Sequence, residues 1–254
     1  MISSRLRRVR NTVLSLTVAA AGVLGMAATP AQALAMYAGD SIRIEYSDGE
    51  KYGCTLNSIA YRGGVMYGVT AGHCLAPIGG AHAVRVLAAD ARTPIASNLQ
   101  DSGFELEGDN TLGGELKDVA WFRMDRHVTD AHAMRGGFID IPFIGALHGL
   151  SQFAQFVNPT RRVAGRAPVT SVREGQIVCK DGARTSRTCG PVLNVNPRTG
   201  EIAVMILSLQ GDSGSPLYTV NPDGSTNIVG IISGAAYGIL VAADAATPLP
   251  AGLR

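Results

Sequence analysis

Three short segments hold the residue types that acyl-transfer chemistry needs. In chain order they are Thr70-Ala71-Gly72-His73-Cys74, Asp118-Val119-Ala120-Trp121-Phe122 and Gly211-Asp212-Ser213-Gly214-Ser215-Pro216. A serine hydroxyl is inert at its own pKa and needs an imidazole within hydrogen-bond reach to take its proton. That imidazole must present one tautomer, which a buried carboxylate on its other nitrogen enforces. His73, Asp118 and Ser213 supply the base, the orienting acid and the nucleophile. The developing oxyanion needs fixed donors, and the backbone N–H groups of Gly211 and Ser213 are placed to serve, because glycine allows the turn that points two amides the same way.

Chain order narrows the choice of scaffold. All five histidines, at positions 73, 82, 127, 132 and 148, precede Ser213. An α/β-hydrolase places its histidine after the serine and carries a G-x-S-x-G elbow, whereas Ser215 occupies the last glycine position here. A subtilisin order would require an aspartate ahead of His73. Asp40 and Asp48 qualify only nominally, since neither opens a strand pattern like that of Asp118. His82, His127, His132 and His148 have no comparable surroundings and read as surface or structural residues.

The elements that must position these groups read as strands. Ile42, Ile44 and Tyr46 alternate before Asp48-Gly49, and Ile59 and Tyr61 precede Gly63-Gly64 and the run Val65 to Val69. Val192 to Val195 leads through Asn196-Pro197-Arg198-Thr199-Gly200 into Ile202 to Leu207. Leu217 to Val220 leads through Pro222-Asp223-Gly224 into Ile228 to Ser233. Each is a strand–turn–strand signal with suitable turn chemistry. Helical periodicity is scarce, the best stretch lying near Gly145 to Phe156. The class is mostly β, with strands from about Asp40 to Met124, a Gly- and Pro-punctuated link, and strands from about Val169 to Val241.

Residues Met1 to Ala33 read as a secretory signal: an Arg-rich start, an apolar run from Val13 to Ala28, then Ala31-Gln32-Ala33 as a small-x-small cleavage pattern. No later segment reaches the ~18 uninterrupted apolar residues of a membrane span. The nearest, Phe138 to Leu150, is broken by Asp140, Pro142 and His148. A secreted, extracellular protein is expected. The formal charge of +2 in 254 residues comes from 22 basic and 20 acidic residues, and four of the bases (Arg5, Arg7, Arg8, Arg10) sit in the acid-free leader. Removing those 4 from 22 leaves 18 basic against 20 acidic residues, so no basic surface for nucleic acid is expected.

A hydrophobic share of 46% with 31 glycines excludes disorder and a coiled coil. The four cysteines, Cys54, Cys74, Cys179 and Cys189, all follow the leader and suggest disulfides, for which three connectivities exist. Pairing neighbours closes two short loops, each adding on the order of 3 kcal/mol by restricting the unfolded chain. Zinc is disfavoured because neither C-x-x-C nor H-x-x-x-H spacing occurs. No metal or cofactor is expected.

Taken together, T-A-G-H-C, the D-V-A-W-F strand and G-D-S-G resemble the chymotrypsin-fold (trypsin-like) serine proteases, in particular the bacterial branch of streptogrisins and α-lytic protease. The resemblance covers most of the exported chain. It implies two six-stranded antiparallel Greek-key β-barrels with the active site between them: residues 34–145 carrying His73 and Asp118, and 146–254 carrying Ser213. It also implies the Cys54–Cys74 bridge of the histidine loop, and a second bridged loop over Val178-Cys179-Lys180-Asp181-Gly182 to Cys189-Gly190. By the same resemblance Ser233, in Ile231-Ile232-Ser233-Gly234, bonds the catalytic aspartate, and the strand through Ser233 and Gly234 pairs with an extended polypeptide substrate. Lys180 is the expected cation for Asp212, since a buried carboxylate without a partner costs several kcal/mol.

Specificity is read from the positions that line the pocket in such proteases. Leu207, six before Ser213, would lie at its base, with Ser208 beside it and Ala235 and Ala236 on its wall. An acid at the base would select Lys or Arg, so Leu207 points to small or medium apolar side chains. Some features depart from the pattern. Ser215 replaces a usual glycine, few residues separate Ala33 from the first strand signal at Ser41, a third disulfide is lacking, and the tail with Pro248 and Pro250 is short. The expected protein is a monomeric secreted serine endopeptidase. The competing reading is a protease-shaped binding protein that is silent or latent.

Overall fold

The alternation of Ile42, Ile44 and Tyr46 becomes the strand Ser41–Tyr46, with those three side chains fully buried and Ser41, Arg43 and Glu45 facing outward. The structure, a computed structural model, describes residues 33–108, 117–136, 140–141, 145–146 and 148–254. The leader expected over residues 1–33 therefore lies almost wholly outside the described residues. The same holds for most of the stretch around the expected boundary between residues 145 and 146. Residues Ala33–Arg254 form one compact unit.

The C-terminal half closes into a six-stranded barrel. Its order is Thr226–Ala236, Pro216–Val220, Ile177–Gly182, Ser186–Val195, Ile202–Met205 and Leu240–Ala245, the last pairing back onto the first. Consecutive pairs are antiparallel, as the turn signals at Asn196–Gly200 and Pro222–Gly224 require. Val178, Val192, Ile202, Val204, Leu217, Val229, Ile232 and Val241 fill the interior.

The N-terminal half departs from a single six-stranded ring. Eight strands form two four-stranded sheets over one core. The first runs Lys51–Thr55, Ser41–Tyr46, Ala83–Ala88, Pro94–Ala96; the second runs Ser58–Arg62, Val65–Thr70, Lys117–Arg123, Ser102–Glu107. The chain turns a corner between Thr55 and Ser58. There the Leu56 N–H bonds the Asp40 carbonyl (2.9 Å) and the Asn57 N–H bonds the Val69 carbonyl (2.8 Å), so one extended run is divided between two sheets.

A strand without a sequence signal, Leu34–Ala38, precedes the expected first strand and pairs in parallel with Val128–Met134. The latter joins Arg161–Arg166, which lies parallel against the barrel strand Thr226–Ala236. The expected helical stretch is a helix at His148–Val157. The C-terminal tail crosses back to the N-terminal half. Arg254 and Tyr61 exchange backbone hydrogen bonds of 3.1 and 2.9 Å, and Leu249 and Leu253 enter that half's core. Among the described residues no helix is long and apolar enough to cross a membrane.

Candidate active site

His73 sits in a short 3-10 turn, Gly72–Cys74, that follows the strand Val65–Thr70. Gly72 has to be glycine. A Cβ there would run into the Glu105 carbonyl and lie 3.0 Å from both Asp118 Oδ1 and the Val119 nitrogen. This close approach lets the turn lie directly on the start of the strand Lys117–Arg123, where Asp118 is fully buried. Asp118 then holds the histidine at two points: its Oδ1 accepts the His73 backbone N–H at 2.7 Å, and its Oδ2 lies 2.7 Å from Nδ1 of the ring. Bonding at Nδ1 leaves Nε2 to face outward, and the ring is about one-third exposed.

Asp118 has further partners. The Ser233 hydroxyl donates to its Oδ2 in a short hydrogen bond, and its own N–H donates to Asp244 Oδ2 at 2.9 Å. Burial alone would push the Asp118 carboxyl up. The His73 ring, the Ser233 hydroxyl and the His73 backbone N–H outweigh it and hold the carboxyl below the ordinary aspartate value. Asp244 is pushed up to about 6 by its own burial, with the neighbouring Asp118 charge adding to the effect. Nothing in the Leu240–Ala245 sequence marks Asp244, since only the packing of that barrel strand against the start of Lys117–Arg123 brings it under Asp118.

Cross-links between the two halves place Ser213 beside the histidine turn. The Thr55 N–H donates to the Ser213 carbonyl (2.8 Å), and Thr55 Oγ1 donates to the Gly211 carbonyl (2.9 Å). Its neighbour Cys54 is disulfide-bonded to Cys74, the residue after His73. On the other flank, Gly214 has φ +87°, and a Cβ on it would strike Thr70 Oγ1 and the Thr55 carbonyl. The Ser213 hydroxyl points to the Ser233 carbonyl at 3.5 Å, and among the described residues no hydrogen bond joins it to His73.

The turn around Ser213 leaves two amides over. Asp212, Gly214 and Ser215 each donate their N–H to the protein, to Leu209, Ile232 and Asp212 carbonyls respectively, whereas the Gly211 and Ser213 N–H groups donate to no described residue. Arg184 Nε donates to the Gln210 carbonyl (2.9 Å), which directs the N–H at the far end of that trans peptide, that of Gly211, away from Arg184.

Beneath the turn, Lys180 and Asp212 are both fully buried, with Nζ 3.2 Å from Oδ2. Thr185 Oγ1 accepts from Lys180 Nζ (2.5 Å) and donates to Asp212 (2.7 Å), and the Leu209 and Arg184 N–H groups also donate to the carboxylate. Burial works to raise the Asp212 carboxyl, but the Lys180 charge, these N–H groups and the Thr185 hydroxyl bring it below the ordinary value. The second disulfide, Cys179–Cys189, joins residues directly opposite in the hairpin that carries Lys180.

A cavity of about 280 Å³ opens beside Ser213, lined by Ser208, Leu209, Gln210, Ile232, Gly234 and Ala235 among others. Leu207, expected at its base, does not line it. Leu207 is half exposed, its carbonyl accepting the Thr188 hydroxyl (2.9 Å), and Ala236 is exposed as well. The strand Ile202–Met205 ends before Leu207, so counting back six residues from Ser213 overshoots the wall by one. Ser208, Gly234 and Ala235 do line the cavity.

No protein-family model matches the sequence. Over 80 residues the chain is 36% identical to an uncharacterized protein of Mycobacterium tuberculosis, found in two strains. That match spans 32% of this chain and only 36% of the relative. Solved structures are similar over far more of the chain. Thermobifida fusca protease A covers 87% of it, with 97% of that structure matched, at 21% identity and a TM-score of 0.57. Cellulomonas bogoriensis chymotrypsin covers 87%, with 98% of its own length, at 20% identity and a TM-score of 0.53. At such identities the likeness speaks to architecture: with one closed six-stranded barrel and two further sheets, this chain shares the chymotrypsin fold of these two-barrel bacterial proteases.

Proposed function

We propose that the protein is a secreted serine endopeptidase in which His73, Asp118 and Ser213 act as a catalytic triad. The observation that carries this reading is the double anchoring of His73 on buried Asp118, which fixes the tautomer with Nε2 outward, next to a serine turn with two amides that donate to no described residue. The substrate lies extended along Ser233 and Gly234, with the side chain before the scissile bond in the cavity lined by Ser208, Gly234 and Ala235. Among the described residues none that lines that cavity is acidic, which favours apolar side chains over Lys or Arg.

The resting orientation of Ser213 suggests how substrate engages the site. Its hydroxyl rests against the Ser233 carbonyl, an acceptor that a substrate N–H can claim by strand addition. Displaced, the side chain moves to another staggered rotamer toward His73. Oγ then attacks the scissile carbonyl while Nε2 takes its proton. The oxyanion forms against the Gly211 and Ser213 N–H groups, and Asp118 stabilises the imidazolium. His73 returns the proton to the leaving amine as the C–N bond breaks. Water, deprotonated by the same ring, then releases the acyl group and restores Ser213.

Hydrolysis of internally quenched peptides by wild type, Ser213→Ala and His73→Ala tests this reading. Both variants are expected to lose at least about 10³-fold in kcat. Equal rates in all three would overturn it. A latent protein is favoured by one observation, the missing Ser213–His73 hydrogen bond. That alternative predicts no turnover in wild type even with saturating peptide.

A further inference from the structure

Two strands of the closed barrel converge on Asp118. Ser233, on Thr226–Ala236, donates its hydroxyl to the Asp118 carboxylate, and Asp244, on Leu240–Ala245, accepts the Asp118 N–H at 2.9 Å. Asp244 is only 6% exposed, and its other partner is the N–H of the next residue, Ala245, at 2.7 Å. Among the described residues no cation forms an ion pair with it; Lys117, the residue before Asp118, pairs with Glu107 instead, Nζ to Oε2 at 3.3 Å. A cavity of about 550 Å³ adjoins Asp244, and the other charged side chains in its lining are Glu105, Lys117 and Arg198. Residues 168–170 and 247–250, which also line it, carry no titratable side chain. Burial opposes a charge on Asp244, and the charges of Asp118 and Glu105 oppose it further, while Lys117 acts in its favour.

Holding the Asp118 backbone requires an acceptor, not a charge. The side-chain oxygen of an asparagine, of the same shape, would take that N–H and stay neutral. A buried carboxylate here destabilises the fold at neutral pH, which a neutral acceptor would not. A cost of this kind, set directly behind the residue that orients the base, points to chemistry rather than to folding. In the proposed reaction His73 takes the Ser213 proton at Nε2 and becomes an imidazolium, and neither carboxylate changes protonation. Asp118 faces that cation at Nδ1, and Asp244 lies behind Asp118. A second negative charge there favours the ring most in the transition state, where its positive charge develops. Resting on that triad, we propose that ionised Asp244 is a positioning residue for the reaction: it fixes the Asp118 backbone and supplies a second negative charge behind the imidazolium, so that a proton on Asp244 slows turnover.

The test compares kcat and KM of wild type and Asp244→Asn on an internally quenched peptide across the range from about pH 4.5 to about pH 8. At the upper end the variant is expected to be about tenfold slower in kcat, with KM within about twofold. That ratio should shrink as pH falls through about 6, where Asp244 takes its proton, and approach one at the acid end, because wild type is then neutral there as well. Asp244→Asn should need at least as much urea as wild type to unfold at neutral pH, which separates the slower rate from a weaker fold. Equal kcat at the upper end, a ratio that ignores pH, or a slower rate accompanied by a lower urea midpoint overturns the proposal. A second readout needs no turnover: ¹³C NMR titration of the Asp244 carboxyl in Ser213→Ala, with and without Asp118→Asn. Removing the Asp118 charge should lower the Asp244 midpoint, and an unmoved midpoint contradicts the coupling. Fluorophosphonate labelling of wild type reports on Ser213 separately. Labelling with a ratio that ignores pH sinks the role of Asp244 alone, and an Asp244 midpoint that follows Asp118 without labelling sinks the catalytic reading alone.

Discussion

The Lys180 ammonium and the Asp212 carboxylate meet at 3.2 Å with neither side chain exposed, directly under the turn that holds Ser213. Deleting one member of a buried ion pair costs more than the pair itself contributes, because the remaining charge stays in the interior. Lys180→Met is therefore expected to lose about 3–5 kcal/mol in urea unfolding, with much of the peptidase activity. The double variant with Asp212→Asn should recover part of the stability. A single variant with unchanged midpoint and rate would refute the structural role assigned to the pair.

Ser233 touches both sides of the site: its hydroxyl donates to Asp118 and its carbonyl accepts from Ser213. Ser233→Ala keeps the carbonyl and removes the hydroxyl, so it should act through Asp118. Stability is expected to fall by about 1–2 kcal/mol and kcat by about tenfold, while KM moves little. A change confined to KM would place the hydroxyl's influence on substrate contact instead.

Asp244 gives the fold a distinctive pH response. Its carboxyl titrates at about 6 in the folded protein against 3.8 as the ordinary value, so the native state binds the proton more tightly than the unfolded chain does. Stability from this group is thus intact at low pH and falls as pH rises from about 4 to about 6, by roughly 3 kcal/mol in all. The opposite sign applies to Asp118 and Asp212, whose carboxyls lie below the ordinary value and whose contribution disappears only on acidification below it. Unfolding free energies of wild type and Asp244→Asn, measured from pH 4 to pH 7, should diverge in favour of the variant. Parallel curves would contradict the assignment.

The two disulfides close loops of different length, 20 residues apart for Cys54–Cys74 and 10 for Cys179–Cys189. Loop entropy makes the first worth about 3 kcal/mol and the second slightly less. Their functional consequences should differ more than their energies. Cys54 and Cys74 flank the Thr55 and His73 contacts to the site, so replacing both with Ser is expected to reduce kcat as well as thermal stability. Replacing Cys179 and Cys189, which a hairpin already holds opposite one another, should mainly lower the melting temperature. Equal loss of kcat from both pairs would show that the bridges act on the site only through global stability.

The parts of this structure visible in the sequence are those with local signatures. The glycine before His73, the turn chemistry around Ser213 and the alternation through Ile42, Ile44 and Tyr46 each follow from steric or periodic rules acting over a few residues. Asp118 was recognisable from the strand it opens. What stayed hidden depends on contacts between remote segments. Leu34–Ala38 finds its partner in Val128–Met134 by parallel pairing, which needs no hairpin turn and leaves no mark. Asp244 and Arg184 look like ordinary polar residues until the fold sets one behind Asp118 and the other on the Gln210 carbonyl. Leu207 failed for a related reason, since where a strand ends is set by its neighbours rather than by its own side chains.

The imidazole of His73 activating the hydroxyl of Ser213 is tested most directly by mapping a fluorophosphonate adduct in wild type and in His73→Ala by peptide mass spectrometry. The expected result is one adduct, on Ser213, forming rapidly in wild type and at least about 10³-fold more slowly without the imidazole. An adduct elsewhere, or labelling of Ser213 at the same rate in both proteins, would contradict it.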